Sequence, residues 1–316
     1  MELSYSKYYC CPQCRQNLSV ESIEETVITY NGTLSIEGCA EPEERKAIKT
    51  GLFLCASCRV WYPVLNYVPV FFIFFIEEIH GLFAQKYKNT LERFSEYSPP
   101  QNSPEKGELR SLQSFSQQWK NKSNSDLNFI HTFDEQKALT RDVYLRWGDH
   151  PPEDVKMILD VGCGLGSEAF ALQDISANAK VFGVDFNTGL LTVGEALNIN
   201  PNVTICMASM FHLPFVNRSF DLVYSHGVLH HTYSTYKAFE AISTYVRTGG
   251  FLQIHIYAYE DMLSRRGFYI FRRIMFGFEL VARPILSRLP RPIQKLVISL
   301  IALCTQSRLR CSPFGR

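Results

Sequence analysis

Along the second half of the chain, short apolar runs alternate with stretches of helical spacing. Residues 157–161, 180–185, 203–206, 219–225 and 250–257 have the length and apolar density of strands buried on both faces. Between them, 167–175, 188–197 and 235–246 repeat their apolar positions with a helical period. This alternation predicts an α/β fold in which crossover helices join parallel strands. Upstream, Ile79, Phe83, Tyr87, Leu91 and Phe94 fall on one helical face. Ser98-Pro99-Pro100-Gln101-Asn102-Ser103-Pro104 then breaks regular structure and marks a domain boundary. Thr132-Phe133-Asp134-Glu135 reads as a capping box, opening a helix with Leu139, Val143 and Trp147 on one face. After Tyr257 no further pair of strands follows. Residues 262–310 read instead as helices broken at Pro284, Pro290 and Pro292, and a five-stranded sheet would leave an exposed edge.

Composition sharpens this picture in three places. A length of 316 residues fits about two domains. The net charge of +1 hides a division, because from Met262 onward eleven Lys/Arg face the single acid Glu279. MELSYSKYYC lacks an apolar signal region, and the longest apolar run, Val68 to Ile76, is too short to span a bilayer. Ten cysteines in such a chain point to metal ligands and buried thiols, and to a cytoplasmic protein.

Four of the ten cysteines form two C-x-x-C pairs, Cys11/Cys14 and Cys55/Cys58. Each pair can offer two thiolates to one tetrahedral ion, so the four together predict a closed, structural zinc site. Four incidental cysteines are the alternative. YYCCPQCRQNL and FLCASCRVWYPVLNYVPVFF resemble the small zinc-ribbon protein that serves as an activating subunit of RNA and protein methyltransferases. The resemblance covers roughly residues 5–76, interrupted by an acidic insertion, 37–50, expected to be a surface loop or short helix.

The stretch that carries chemistry is MILDVGCGLGS, residues 157–167. A strand, three glycines at alternate positions and a helix start, with Ser167 as candidate N-cap, bring backbone N–H groups to a ligand lying across the strand end. Asp185 closes the next apolar run at the interval expected of a ribose-binding acid. A dinucleotide site would prefer G-x-G-x-x-G, whereas here Asp160 precedes G-x-G-x-G. In the form LDVGCGLG followed by GVDFN, the chain resembles the class I S-adenosylmethionine-dependent methyltransferases. That resemblance implies a Rossmann-like parallel sheet, with S-adenosylmethionine held by Asp160, Gly162, Cys163, Gly164, Gly166, Asp185, Phe186, Ser209, Met210, Ser225 and His226. Ser209 stands where the family often has an acid for the adenine amino group. Phe220 to His231 matches the family's fourth-strand motif, and His231 is a candidate general base. Phe115 to Trp119 is similar to a segment that folds over the cofactor in this family; packing on the sheet is the other reading.

The expected organisation is a zinc ribbon over 1–76, a helix and linker over 77–108, a methyltransferase domain over 109–258 and a basic, apolar helical segment over 259–316. Methyl transfer from a sulfonium requires alignment and exclusion of water, and a base only for a protonated acceptor. The main expectation is transfer to an O or N atom of a small-molecule or lipid/glycan-linked acceptor, with 280–310 touching a membrane surface peripherally. RNA methylation and a non-enzymatic regulatory role are the alternatives. The sequence sets no oligomeric state.

Overall fold

The computed structural model describes residues 1–256 except 31–33, 36–37, 40–42, 120–132, 146–154, 177–178 and 198–199, and a few isolated positions from 285 to 296. The chain divides into two compact units, Met1–Ile256 and Tyr257–Arg316. The helical segment expected over 259–316, the tail at 280–310, Thr132 and Trp147 lie largely or wholly outside the described residues. Among the described residues, no helix is long and apolar enough to cross a membrane.

The first unit holds two main sheets. In the N-terminal one, β1 (Ser19–Tyr30), β2 (Glu43–Cys55), β3 (Val60–Leu65) and β4 (Val68–Pro69) lie side by side in that order, every pair antiparallel. Residues 43–50, expected to be loop or helix, are instead the first half of β2. They pair with 24–30 of β1, and the pairing buries Ala47 and Ile48. The helical face expected from Ile79 onward is broken into a π turn (Glu77–Gly81) and two short helices (Leu82–Lys86, Lys88–Glu92). Its side chains still cover Leu52, Leu54 and Trp61.

Helix α1 (Glu108–Trp119) leads towards the second sheet, and α2 (Phe133–Leu139) follows it. A π turn over Thr140–Leu145 extends α2 and shifts the buried face. Val143, expected inside, is therefore half exposed, and Leu145 is buried in its place. The second sheet comprises β5 (Met157–Val161), β6 (Lys180–Asp185), β7 (Val203–Met207), β8 (Phe220–His226) and β9 (Val246–His255). Its spatial order is β9-β8-β5-β6-β7, all parallel. Helices α3 (Ser167–Ile175) and α4 (Thr235–Ser243) are crossovers. This is the Rossmann-like arrangement. The order reverses between β5 and β8, so the glycine loop after β5 stands at the switch point where such sheets bind ligands.

The two sheets share one interior. Tyr9, Phe53, Tyr62 and Phe71 form a hydrophobic cluster with Leu159, Phe182, Phe215 and Phe220. Tyr9 lies with its ring centroid 5.0 Å from that of Phe71 and 5.5 Å from that of Phe215. Beyond β4 the chain runs parallel to β7: Val70 bridges Met207, and the Phe71 N–H donates to the Met207 carbonyl at 2.7 Å. The β7 edge, which a five-stranded sheet would have left open, is thus covered by the N-terminal module. Asn66 Nδ2 donates to the Leu191 carbonyl at 2.9 Å, and the Arg15 guanidinium donates to the carbonyls of Leu213 and Phe215.

Candidate functional site

Gly162, Gly164 and Gly166, at the end of β5, all have positive φ, 86°, 59° and 97°. A Cβ on Gly162 would fall 2.3 Å from the Val228 side chain, and one on Gly166 2.5 Å from Ile205. The loop's backbone is therefore bare by necessity. Gly166, in the left-handed region, takes the cap position of α3, and Ser167 is the first helical residue without a capping bond, so the expectation for Ser167 fails. The Cys163 thiol turns inward against Gly183, which leaves only its backbone at the loop. Asp160 is 1 % exposed, and its Oδ2 has no hydrogen-bond partner among the described residues. Burial, followed by the negative charges of Glu168 and Asp185, holds its carboxyl well above the usual range. An orphaned carboxyl beside a bare glycine loop fits a ligand bringing its own polar group.

Asp185 braces the same loop. Its carboxylate accepts from the N–H of Gly164, the N–H of Asn187 and the Asn187 side-chain amide, each at 2.9 Å. Burial pushes its pKa up and these bonds pull it back. Sequence reading did not single out Asn187, because nothing in its spacing marks a residue that serves the neighbouring acid.

Helix α1 lies over the loop. The Trp119 indole would be 3.2 Å from a Cβ on Gly164, and the Phe115 ring centroid is 6.0 Å from that of Phe186 and 5.4 Å from that of His231. The Ser116 hydroxyl accepts from the Thr188 N–H at 2.9 Å. The aromatic segment therefore sits on the loop, not on the sheet face. A cavity of about 690 Å³ borders α1, with Ile79, Leu112, Ser116 and Thr188 in its wall.

At the ends of β8 and β9 the side chains diverge in role. The buried Ser225 hydroxyl donates to the Val161 carbonyl at 2.8 Å and ties β8 to β5. His226 Nδ1 lies 2.8 Å from Glu168 Oε1, which also accepts from Gln136 Nε2 at 3.0 Å. The Tyr144 and His255 rings flank His226 at 3.8 and 4.6 Å between centroids. No sequence signal pointed to Glu168, Tyr144 or His255, whose partners are remote along the chain. Ser209 is buried and its hydroxyl accepts from the Phe211 N–H at 3.2 Å, while Met210 packs half-buried on the core. His231 is exposed, and its ring neighbours are Phe115 and His230, the latter at 4.2 Å. Burial of part of its ring lowers its pKa.

The second cluster lies in the N-terminal module. The Sγ atoms of Cys11, Cys14, Cys55 and Cys58 all fall within 4.8 Å of one another. The Cys11–Cys58 and Cys14–Cys55 separations are 3.9 and 3.5 Å. Zn–S bonds of about 2.3 Å in a tetrahedron place sulfurs about 3.8 Å apart, whereas a disulfide needs about 2.05 Å. The donor set therefore fits one tetrahedral metal.

Residues 159–254 match the family described as "Methyltransferase domain". That match spans most of the parallel sheet and its glycine loop. Over 114 residues the chain is 33% identical to a tRNA (carboxymethyluridine(34)-5-O)-methyltransferase of Saccharomyces cerevisiae, which covers 35% of this chain and 39% of the relative. The protein of the same description from Schizosaccharomyces pombe is 29% identical over 113 residues, 35% of this chain and 46% of the relative. The chain thus spans less than half of either relative. A solved complex of the Haloferax volcanii Trm112 methyltransferase activator with a methyltransferase is 22% identical, with a TM-score of 0.35, over 43% of this chain and 57% of that one. A likeness that low carries no inference. Relatives of the methyltransferase domain named for tRNA overturn the expectation of a small-molecule or lipid/glycan-linked acceptor. The glycine loop reports the cofactor that is shared across many acceptors; it holds no information about the acceptor.

Proposed function

We propose that the chain is an S-adenosylmethionine-dependent methyltransferase acting on tRNA. The observation that carries the acceptor is the 33% identity to the budding-yeast tRNA enzyme. S-adenosylmethionine supplies an electrophilic methyl group at the loop. Around it, Gly162, Gly164 and Gly166 offer backbone, Asp185 offers its carboxylate to a ribose, and Trp119 and Phe115 exclude water. Asp160 holds a polar acceptor at the buried end. A carboxylate acceptor, such as the one in the yeast relative's name, is already deprotonated at neutral pH and needs no general base. An exposed His231 is consistent with that chemistry. Cys11, Cys14, Cys55 and Cys58 hold one structural zinc ion. The module they staple resembles a methyltransferase-activating zinc ribbon, built into the same chain and seated on the β7 edge.

The test is transfer from labelled S-adenosylmethionine to total tRNA, followed by nucleoside analysis of the product. Methylated nucleosides at levels above a Gly164→Val control are expected. Label appearing only in small metabolites, with bulk tRNA unlabelled, would overturn the tRNA reading. His231→Ala should keep the rate within about threefold, since a general base contributes at least about a hundredfold where one is used.

A further inference from the structure

A polar row crosses one face of the second sheet at its carboxyl end. In the register of the strands, Asp160 of β5 lies beside Tyr224 of β8, and Tyr224 beside Gln253 of β9. Two residues on, and so on the same face, His226 lies beside His255. Four elements converge on His226. Its Nδ1 lies 2.8 Å from Oε1 of Glu168, two residues past Gly166, and Gln136 of α2 donates to the same oxygen at 3.0 Å. Tyr144 from the π turn and His255 from β9 flank the ring at 3.8 and 4.6 Å between centroids. The turn that carries Tyr144 is itself tied down, because Gln253 Nε2 donates to the Tyr144 carbonyl at 2.6 Å. A carboxylate at Nδ1 keeps the proton of a neutral imidazole on that nitrogen, so Nε2 carries the lone pair. Nε2 has no hydrogen-bond partner among the described residues. The strand order puts β8 on the side of β5 away from Asp185. A cofactor held by its ribose at Asp185 and lying across the glycine loop therefore reaches towards His226.

We propose that His226, oriented by Glu168, is the general base of the transfer, and that the acceptor is a hydroxyl or N–H group of the tRNA and not a carboxylate. The inference rests on the tRNA methyltransferase reading above and adds to it the acceptor chemistry and the residue that serves it. As the acceptor atom bonds to the methyl carbon, the carbon–sulfur bond breaks and its electron pair stays on sulfur. The acceptor's proton passes to Nε2 and is later lost to water. The imidazolium formed in between lies against the Glu168 carboxylate and the Tyr144 ring, both of which favour a cation. A carboxylate acceptor has no proton to give up and would leave this pair idle. The base expected at His231 thus falls five residues earlier, at the strand end.

The test combines single-turnover transfer to tRNA with two measurements that need no turnover. His226→Gln should slow transfer by about a hundredfold or more, the usual contribution of a general base, while calorimetry returns the parent's affinity for S-adenosylhomocysteine. In the parent, histidine nitrogen chemical shifts should place the neutral-form proton of His226 on Nδ1, and Glu168→Met should release it to Nε2. The methylated nucleoside should survive mild alkali, which cleaves the methyl ester that a carboxylate acceptor would give. An alkali-labile product, a parent ring protonated on Nε2, or a His226→Gln protein as fast as the parent overturns the proposal and leaves the tRNA reading standing. Loss of S-adenosylhomocysteine affinity in proportion to rate would make His226 a cofactor ligand and overturn it too. If the parent labels no tRNA, the reading beneath it fails and the proposal with it.

Discussion

Arg15 and Arg59 each follow the second cysteine of a C-x-x-C pair, and both have left-handed φ, 65° and 55°. The turn demands that conformation, and it costs a non-glycine residue about 1 kcal/mol or more. Arg59 is exposed, so Arg59→Gly should raise stability by up to about 1 kcal/mol in denaturant titration. Arg15→Gly should lower it instead, because Arg15 also holds the carbonyls of Leu213 and Phe215. His80 gives the acid response. It is fully buried, its Nδ1 accepts from the Ile76 N–H at 3.0 Å, and burial lowers its pKa from 6.5 to about 4. The unfolded chain therefore takes up the proton first. Its contribution is complete above pH 6.5 and is lost progressively as the pH falls towards 4, on the order of 3 kcal/mol in all. Unfolding free energies measured between those limits should show that slope, and His80→Gln should flatten it.

At the scale of elements, the contact between the Asn66-Tyr67 turn and the segment after β6 joins the two sheets. Asn66 and Tyr67 both have positive φ, 46° and 68°, the geometry of a tight hairpin between β3 and β4. That turn presses so closely on Gly194 that an added Cβ would lie 1.9 Å from the Asn66 carbonyl oxygen. Gly194→Ala must push the backbones apart, and a cost of about 1–3 kcal/mol is expected. Hydrogen exchange should show the loss first at Val70 and Phe71, where the chain leaves β4 and bonds to β7. Unchanged protection there would mean that the hairpin docks without this close approach.

For the molecule as a whole, the shared aromatic interior means that residues 1–256 should unfold as one cooperative unit despite holding two sheets. Tryptophan fluorescence, with Trp61 in the N-terminal module and Trp119 over the cofactor loop, and far-ultraviolet circular dichroism should give coincident transitions. Stripping the metal with a chelator should lower both together, as should Cys14→Ser/Cys58→Ser, which is expected to abolish one equivalent of bound zinc. Two separated transitions, with only one moved by the chelator, would show that the zinc ribbon folds independently of the sheet.

By itself the sequence determined what depends on residues a few positions apart. The five strands in chain order, the three-glycine loop between β5 and α3, and the two C-x-x-C pairs were all legible, because period and spacing encode them directly. Tertiary structure decided what depends on distant segments meeting. The shift that buries Leu145 in place of Val143 arose from a π turn invisible to periodicity. The strand over 43–50 formed because β1 was there to pair with it. The cover on the β7 edge joins Phe71 to Met207, and the partner of His226 at the end of β8 is Glu168, some sixty residues earlier in the chain. Such contacts exist only once the chain has closed on itself, and the residues that make them carry no local mark of their partners.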